Sequence, residues 1–265
     1  MTQKFALLPV DKLPFSEYLR ALDLDIESKL QTLSLQKFSI QDFKFYTSVS
    51  VITSSKIEGE TLEVDSYVKH KIQDVEYLPN LTQKPDDLFE AYVFAQNNPL
   101  TVENFLHAHK LLTQHLLPEK DRGQCRKNEM LVMEHDTGRI QYEAAPAVIV
   151  EKELNKFWND IGVLIVDELT PSQVFYAAAL LHLVFVNIHP FNDGNGRAAR
   201  LLEKWFLAEK LGKKAWYIQS EKYYYKNIDQ YYKNLAVQGM FYEQLNYSKA
   251  HTFLVMLPKS LSLTK

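Results

Sequence analysis

The sequence predicts a mainly helical, all-α protein with one small β-hairpin. Apolar residues recur at three- and four-residue spacings along most of the chain. Glycine (8) and proline (10) are scarce among the 265 residues, which argues against collagen-like, low-complexity and Gly-rich parallel-sheet designs. One segment only, residues 130–142, reads as two short strands around a turn signal. Apolar residues make up 46% and charged residues 24%, so a disordered chain is excluded.

Residues 23–33 and 40–58 are amphipathic helical stretches. The segment from Pro79 to Pro85 reads as a connector, because polar residues lie between two prolines. A helix over 86–96 follows, and Asn97-Asn98-Pro99 breaks it. Thr101 opens the next helix, which carries Phe105, Leu106, His109 and Leu112. The main boundary is therefore placed here, dividing the chain into an N-terminal helical region (1–96), a central domain (97–245) and a tail (246–265). In the hairpin, Asp136-Thr137-Gly138 is the turn between 130–133 and 139–142. Two strands alone are marginal in water, so the hairpin must lie against something.

Residues 151–161 form a helix with Leu154, Phe157, Trp158 and Ile161 on one face. Thr170 caps the next helix, with Pro171 in its first turn. That helix is apolar nearly all round and is expected to be the central buried one. Pro190 disfavours helical geometry at His189, so the helix should stop at Ile188. Another helix starts near Asn195 or Gly196 and runs to Leu207, with Gly212 beyond it. The tyrosines of 222–247 are expected to pack between helices.

Net charge is −3, so no whole-protein positive field is available for nucleic acid, and none is expected as a partner. Cys125 is the only cysteine, which excludes an intramolecular disulfide and a thiolate metal cluster. The first residues lack the pattern of a signal peptide, and the most apolar window is too short and too polar to span a bilayer. A soluble cytoplasmic protein is the expectation.

Residues 189–200 read His-Pro-Phe-Asn-Asp-Gly-Asn-Gly-Arg-Ala-Ala-Arg, a polar loop set between two apolar helices. Gly194 and Gly196 allow backbone shapes that converge N–H groups on one point, and a helix N-terminus adds its own. Arg197 and Arg200 share a face of that first turn, where cations are electrostatically out of place without an anion. Together they suggest a polyphosphate. Asp193 would repel phosphates unless a cation such as Mg²⁺ lies between. His189, at the mouth, is suited to take a proton from an attacking hydroxyl. Taken singly, Asp193 can be a helix cap and the arginines can pair with surface acids. The combination points to phosphoryl or nucleotidyl chemistry. It is not a Walker A loop, since no lysine follows the glycines.

This run resembles the Fic family motif, His-Pro-Phe-x-Asp/Glu-Gly-Asn-Gly-Arg-x-x-Arg, at every defined position. The resemblance covers roughly 97–245 and implies a compact helical core with a β-hairpin flap, which fits 130–142. It implies transfer of AMP from ATP to a hydroxyl of a target protein, with release of pyrophosphate. By the same resemblance His189 is the general base and Asp193 binds Mg²⁺. Gly194, Asn195 and Gly196 form the anion hole, Arg197 and Arg200 hold the β- and γ-phosphates, and the flap aligns the target.

Residues 54–59, Ser-Ser-Lys-Ile-Glu-Gly, resemble the family's inhibitory pattern Ser/Thr-x-x-x-Glu-Gly/Asn. Alone, the same pattern reads as a helix with a glycine C-cap. Beside the Fic loop, Ser54, Glu58 and Gly59 become an inhibitory element placed before the catalytic core. Glu58 is expected to form a bidentate pair with Arg200 and so misalign ATP. Glu60 and Glu63 have no assigned role. His107, His109 and His115 lack metal-site spacing, His182 is read as a packed core residue, and Arg126 as a brace for the flap or the active-site helix.

The resulting expectation is a self-inhibited, Mg²⁺-dependent protein adenylyltransferase acting on a target or on itself. The resemblance also admits removal of AMP, transfer of another nucleotide, a non-catalytic nucleotide-binding scaffold, and a homodimer. Residues 246–265 are too few for the winged-helix module that relatives often carry, so DNA binding gains no support.

Overall fold

Helices α1 (Phe15–Ala21), α2 (Ile26–Leu35), α3 (Ile40–Ile57), α4 (Val64–Gln73), α5 (Pro79–Asn97) and α6 (Val102–Leu112) come first in the computed structural model. A two-stranded hairpin follows, β1 (Leu131–Met133) and β2 (Ile140–Glu143). Then come α7 (Val150–Val166), α8 (Pro171–Ile188), α9 (Asn195–Leu211), α10 (Ser220–Lys226), α11 (Ile228–Ala236), α12 (His251–Leu254) and α13 (Met256–Lys259). The structure describes residues 5–133, 138 and 140–263. The fold is thus mainly helical with one antiparallel hairpin, as the sequence predicts.

At the centre lies α8, buried from Val174 through Ile188. It packs against α9, α7, α1, α2 and α12. Its length and apolarity would suit a membrane span, but 89% of it is buried inside the protein. Thr170 starts it with a capping box: its hydroxyl accepts from Gln173 N–H, and the Gln173 side chain accepts from Thr170 N–H. It stops at Ile188, ahead of Pro190, as expected.

Unlike α8, α3 buries six serines and threonines beside four apolar residues. Ser48 and Thr53 donate to carbonyls four residues back. Ser50 and Ser54 accept from Lys204 and Arg200, which lie one turn apart on α9. Two serines and two cations thus join the helices through satisfied buried groups. Lys204 also pairs with Glu221, which accepts a further bond from Tyr92 (2.6 Å).

Three expectations need correction. The segment 79–85 is not a connector: Pro79 takes the first position of α5, where its missing N–H is no loss, and Pro85 lies inside the helix. Burial of Thr82, Pro85, Leu88 and Tyr92, with α5 packed on α3 and α6, offsets the hydrogen bond Pro85 cannot make. The helix expected from residue 23 starts at Ile26, because Asp25 caps it through Ser28 N–H. Helices α1 and α4 lie outside the helices expected from the sequence: neither opens on a side-chain cap that would mark its start.

In the hairpin, Leu131 pairs with Glu143, Val132 with Tyr142 and Met133 with Ile140, with an irregularity between Val132 and Met133. Gly138 has φ +66°, while Asp136, Thr137 and Arg139 of the expected turn lie outside the described residues. The hairpin does lie against the helical body: Tyr142 donates to Val186 O (3.2 Å), and Glu143 N–H donates to Met240 O (2.6 Å).

Candidate active site

The loop between α8 and α9 is held from several sides. His189 ends α8 in the left-handed region, at φ 51° and ψ 60°, a conformation that disfavours ordinary residues. Its carbonyl accepts from Arg126 Nε (2.7 Å). The same guanidinium donates to Ile188 O, Asn128 O and Ala145 O, so Arg126 braces the end of α8 and the base of the hairpin together. Phe191 is fully buried and stacks on His109 at 3.6 Å between ring centroids.

His109 is the main residue the sequence reading missed. Gly123 N–H donates to its Nδ1 (2.9 Å), which leaves Nε2 as the protonated nitrogen, donating to Asp193 O (3.0 Å). Burial holds its pKa down to about 4, so the ring is neutral and its tautomer is set by these partners. Nothing in its sequence context signals this, because both partners are distant in the chain.

Gly194, at φ +80°, admits no side chain: a Cβ would meet Leu112 and Thr113 at 2.9 Å. The Asn195 side chain closes the loop by accepting from Phe191 N–H (2.9 Å) and donating to Phe191 O (2.8 Å). The first helical bond of α9 is Ala198 N–H to Gly194 O (2.9 Å). The N–H groups of Asn195, Gly196 and Arg197 therefore have no helical acceptor and form an anion-receptive terminus.

Glu58 stands over that terminus. A Cβ on Gly196 would lie 2.3 Å from Glu58 Oε1, so the absence of a side chain lets the carboxylate in. Glu58 Oε1 accepts from Arg200 Nη2 at 2.6 Å. Burial raises the Glu58 pKa, but the Arg200 and Arg197 guanidiniums outweigh it and the net shift is downward. Arg200 is itself fully buried, and although burial opposes its charge, Glu58 pushes its pKa upward. The expected bidentate pair is not formed. Instead Arg200 Nε donates to Ser54 Oγ (2.8 Å), Nη2 also reaches Ser54 O (3.1 Å), and Nη1 donates to Tyr231 OH (3.3 Å). The fork is shared because Ser54, in the last turn of α3, lies one turn before Glu58, which caps the C-terminus of that helix.

Tyr231 extends this network inward. Its hydroxyl is 3.0 Å from His182 Nε2, and His182 Nδ1 is 2.8 Å from Glu203. Tyr224 also donates to Glu203 (2.8 Å). His182 is buried, as expected, but it links Glu203 to Tyr231 rather than merely filling space. Tyr231 and Tyr232 do more than pack, since both line the cavity and Tyr232 donates to Ile57 O at the end of α3 (2.9 Å).

The cavity has a volume of about 350 Å³ and brings Glu58, Gly196 and Arg200 together with His189 and with Val132 and Tyr142 of the hairpin. His189 Nδ1 lies 3.3 Å from Val186 O, which can only accept, so Nε2 is the unprotonated nitrogen. Burial lowers the His189 pKa to about 4. Asp193 is exposed at the loop's outer edge, where Oδ1 accepts from Gly194 N–H (2.6 Å). Among the described residues no group of three or more His, Cys, Asp or Glu side chains could hold a metal. A single exposed carboxylate beside free N–H groups nevertheless fits Mg²⁺, which takes most of its ligands from phosphate and water.

Comparison with known proteins places the chain in a family. The sequence profile of the Fic/DOC family matches residues 99–207. A protein adenylyltransferase Fic of Nematostella vectensis is 34% identical over 178 residues, which span 67% of this chain and 34% of that protein. The protein adenylyltransferase fic-1 of Caenorhabditis elegans is 28% identical over 109 residues, 40% of this chain and 19% of its own. Thus the chain spans about a third or less of the curated relatives it matches. Among solved structures, a Fic family protein from Desulfovibrio desulfuricans superposes with a TM-score of 0.69 at 21% identity, covering 98% of this chain and 75% of that one. C. elegans Fic-1 superposes with a TM-score of 0.61 at 17% identity, covering 97% and 72%. The chain belongs to the Fic/DOC family.

Proposed function

We propose that the chain is a protein adenylyltransferase that moves AMP from ATP to a serine, threonine or tyrosine hydroxyl of a target protein or of itself, and that Glu58 restrains it. The observation that carries this reading is the position of Glu58. Its carboxylate lies against Gly196, at a helix terminus suited to phosphate, and holds Arg200 at 2.6 Å. Residues 97–245 are the catalytic part on this reading, and 1–96 supply the restraint.

The free N–H groups of Asn195, Gly196 and Arg197 bind phosphate oxygens, and Arg197 and Arg200 hold the terminal phosphates. His189 Nε2 takes the proton of the target hydroxyl as its oxygen bonds to the α-phosphorus. The bond from that phosphorus to the bridging oxygen breaks, and pyrophosphate leaves. Asp193 would hold Mg²⁺, which supplies neutralisation of phosphate charge when bound. Tyr142 and the hairpin close the wall beside His189 and steer the incoming hydroxyl. Glu58 blocks the sequence at its start by occupying the arginine that the γ-phosphate requires.

One observation favours a second direction of the chemistry. Glu58 and His189 face the same cavity, so a carboxylate and an imidazole are both available to orient a water that removes AMP. Incubation of wild-type and Glu58→Gly protein with ATP and Mg²⁺, followed by intact mass measurement, separates the two. Restrained transfer requires an AMP adduct that grows in Glu58→Gly. AMP removal requires that wild type strip a modified protein and that Glu58→Gly lose this ability. Neither result with folded, ATP-binding protein would sink the catalytic reading.

A further inference from the structure

Two arginines stand on the first turns of α9, Arg200 lining the cavity and Arg197 buried beside it, and two acids meet them. Helix α3 ends in a Schellman motif: Gly59 N–H donates to Lys56 O (3.1 Å), and Glu60 N–H donates to Ser55 O (3.1 Å), with Gly59 at φ +90°. That turn sends Glu58 and Glu60 from one short segment toward different partners. Glu58 takes Arg200, whereas Glu60 Oε1 lies 3.4 Å from Arg197 Nη2. The same Glu60 oxygen accepts from Lys84 Nζ of α5 at 3.0 Å. Arg197 is 4% exposed along its side chain, and its Nε is buried without a hydrogen-bond partner.

We infer that Glu60 is a second restraint on the site, competing with phosphate for Arg197, and that Lys84 weakens its hold by sharing its carboxylate oxygen. The inference rests on the proposed reading of the loop as a triphosphate site. Arg197 is a buried cation whose single long ion pair leaves a donor unspent, so it remains receptive to a further acceptor. Phosphate oxygens at the α9 terminus would supply that acceptor, and Glu60 opposes them through charge at close range. Lys84, 39% exposed, draws the same oxygen toward α5. Glu60 is a positioning residue: it acts on ATP through Arg197 and touches neither the base nor the reacting atoms.

The two side chains should therefore act in opposite directions on one constant. ATP affinity in the presence of Mg²⁺, measured by calorimetry, should tighten about threefold to thirtyfold in Glu60→Gln, which keeps the shape and removes the charge. In Lys84→Ala it should weaken about twofold to fivefold, because Glu60 then serves Arg197 alone. In Glu60→Gln/Lys84→Ala the Lys84 effect should vanish. In the Glu58→Gly background, Glu60→Gln should lower KM for ATP and leave kcat near that of Glu58→Gly. A merely structural Glu60 would instead weaken ATP binding together with a lower melting temperature, and that result overturns the inference. So does an unchanged affinity in Glu60→Gln, or a Lys84 effect that persists without Glu60. If ATP binds and Glu58→Gly is active while Glu60→Gln is unmoved, the Glu60 restraint alone falls. If neither wild type nor Glu58→Gly binds ATP, the nucleotide reading falls and the Glu60 restraint with it.

Discussion

The loop at residues 189–196 and the hairpin at 131–143 face each other across one cavity but are built on opposite terms. In the loop, Phe191 is buried, Asn195 closes the backbone on itself, and Arg126 and His109 brace it from outside. In the hairpin, β1 and β2 have three and four residues, and Leu131, Met133 and Ile140 are 51%, 60% and 45% exposed. Tyr142 anchors the hairpin while most of its surface faces outward. On the proposed reading, the contrast separates a buried, braced part that would handle phosphate from an exposed edge that would meet the target. Rigid placement suits chemistry in which a small displacement of the reacting atoms is costly. An exposed edge suits recognition by backbone pairing.

Changes in the braced part should have the largest effects. His189→Ala, placed in Glu58→Gly, should lower AMP transfer about 10²- to 10⁴-fold while calorimetry shows ATP binding retained, because the phosphate donors are backbone groups and arginines. Equal rates for Glu58→Gly and the double variant would remove His189 from the role of base. Glu58→Gly alone should raise automodification about tenfold to a thousandfold by freeing Arg200. Asp193→Ala should abolish most Mg²⁺-dependent turnover without a change in melting temperature. A titration in which its nucleotide binding responds to Mg²⁺ as wild type does would reduce Asp193 to a turn residue.

His109→Ala removes a ring stack and two hydrogen bonds, and should destabilise the protein by about 2–4 kcal/mol. The pH dependence sharpens this. Both His109 and His189 have folded pKa values lowered to about 4 from 6.5. Between those values the unfolded chain binds more protons, so their contribution to stability is complete above about pH 6.5 and is lost as pH falls toward 4. The acid-induced drop in melting temperature should therefore be shallower in His109→Gln than in wild type, and an unchanged slope would contradict the neutral, buried assignment. The smallest effect belongs to the hairpin. Leu131→Ser and Met133→Ser should leave melting and ATP affinity nearly unchanged while slowing transfer to a target. A large loss of ATP affinity would instead place the hairpin in the nucleotide pocket.

Much of this was legible in the chain itself. Thr170, Pro171 and Pro190 delimit α8 because caps and prolines act locally on backbone geometry. The run from His189 to Arg200 is contiguous, so the chemistry proposed for it rests on residues adjacent in the chain. Pro85 misled for the complementary reason: a proline's local penalty was visible, but the burial that offsets it was not.

The sequence by itself therefore determined the helical class, the ends of the central helix and the chemical character of the loop, since these depend on neighbours along the chain. The motif resemblance already pairs Glu58 with Arg200, but only the tertiary structure decided that a single carboxylate oxygen makes this contact and that Glu60 meets Arg197. Glu58 and Arg200 are 142 residues apart, Glu60 and Arg197 137, and His109 and Asp193 84. Such pairs are made by the packing of α3, α6 and α9 around a common core, and no local propensity encodes them. A lone glutamate or histidine has the same residue identity on a solvated face as in a buried network. What distinguishes the two is loss of water and the placement of a donor from elsewhere in the chain.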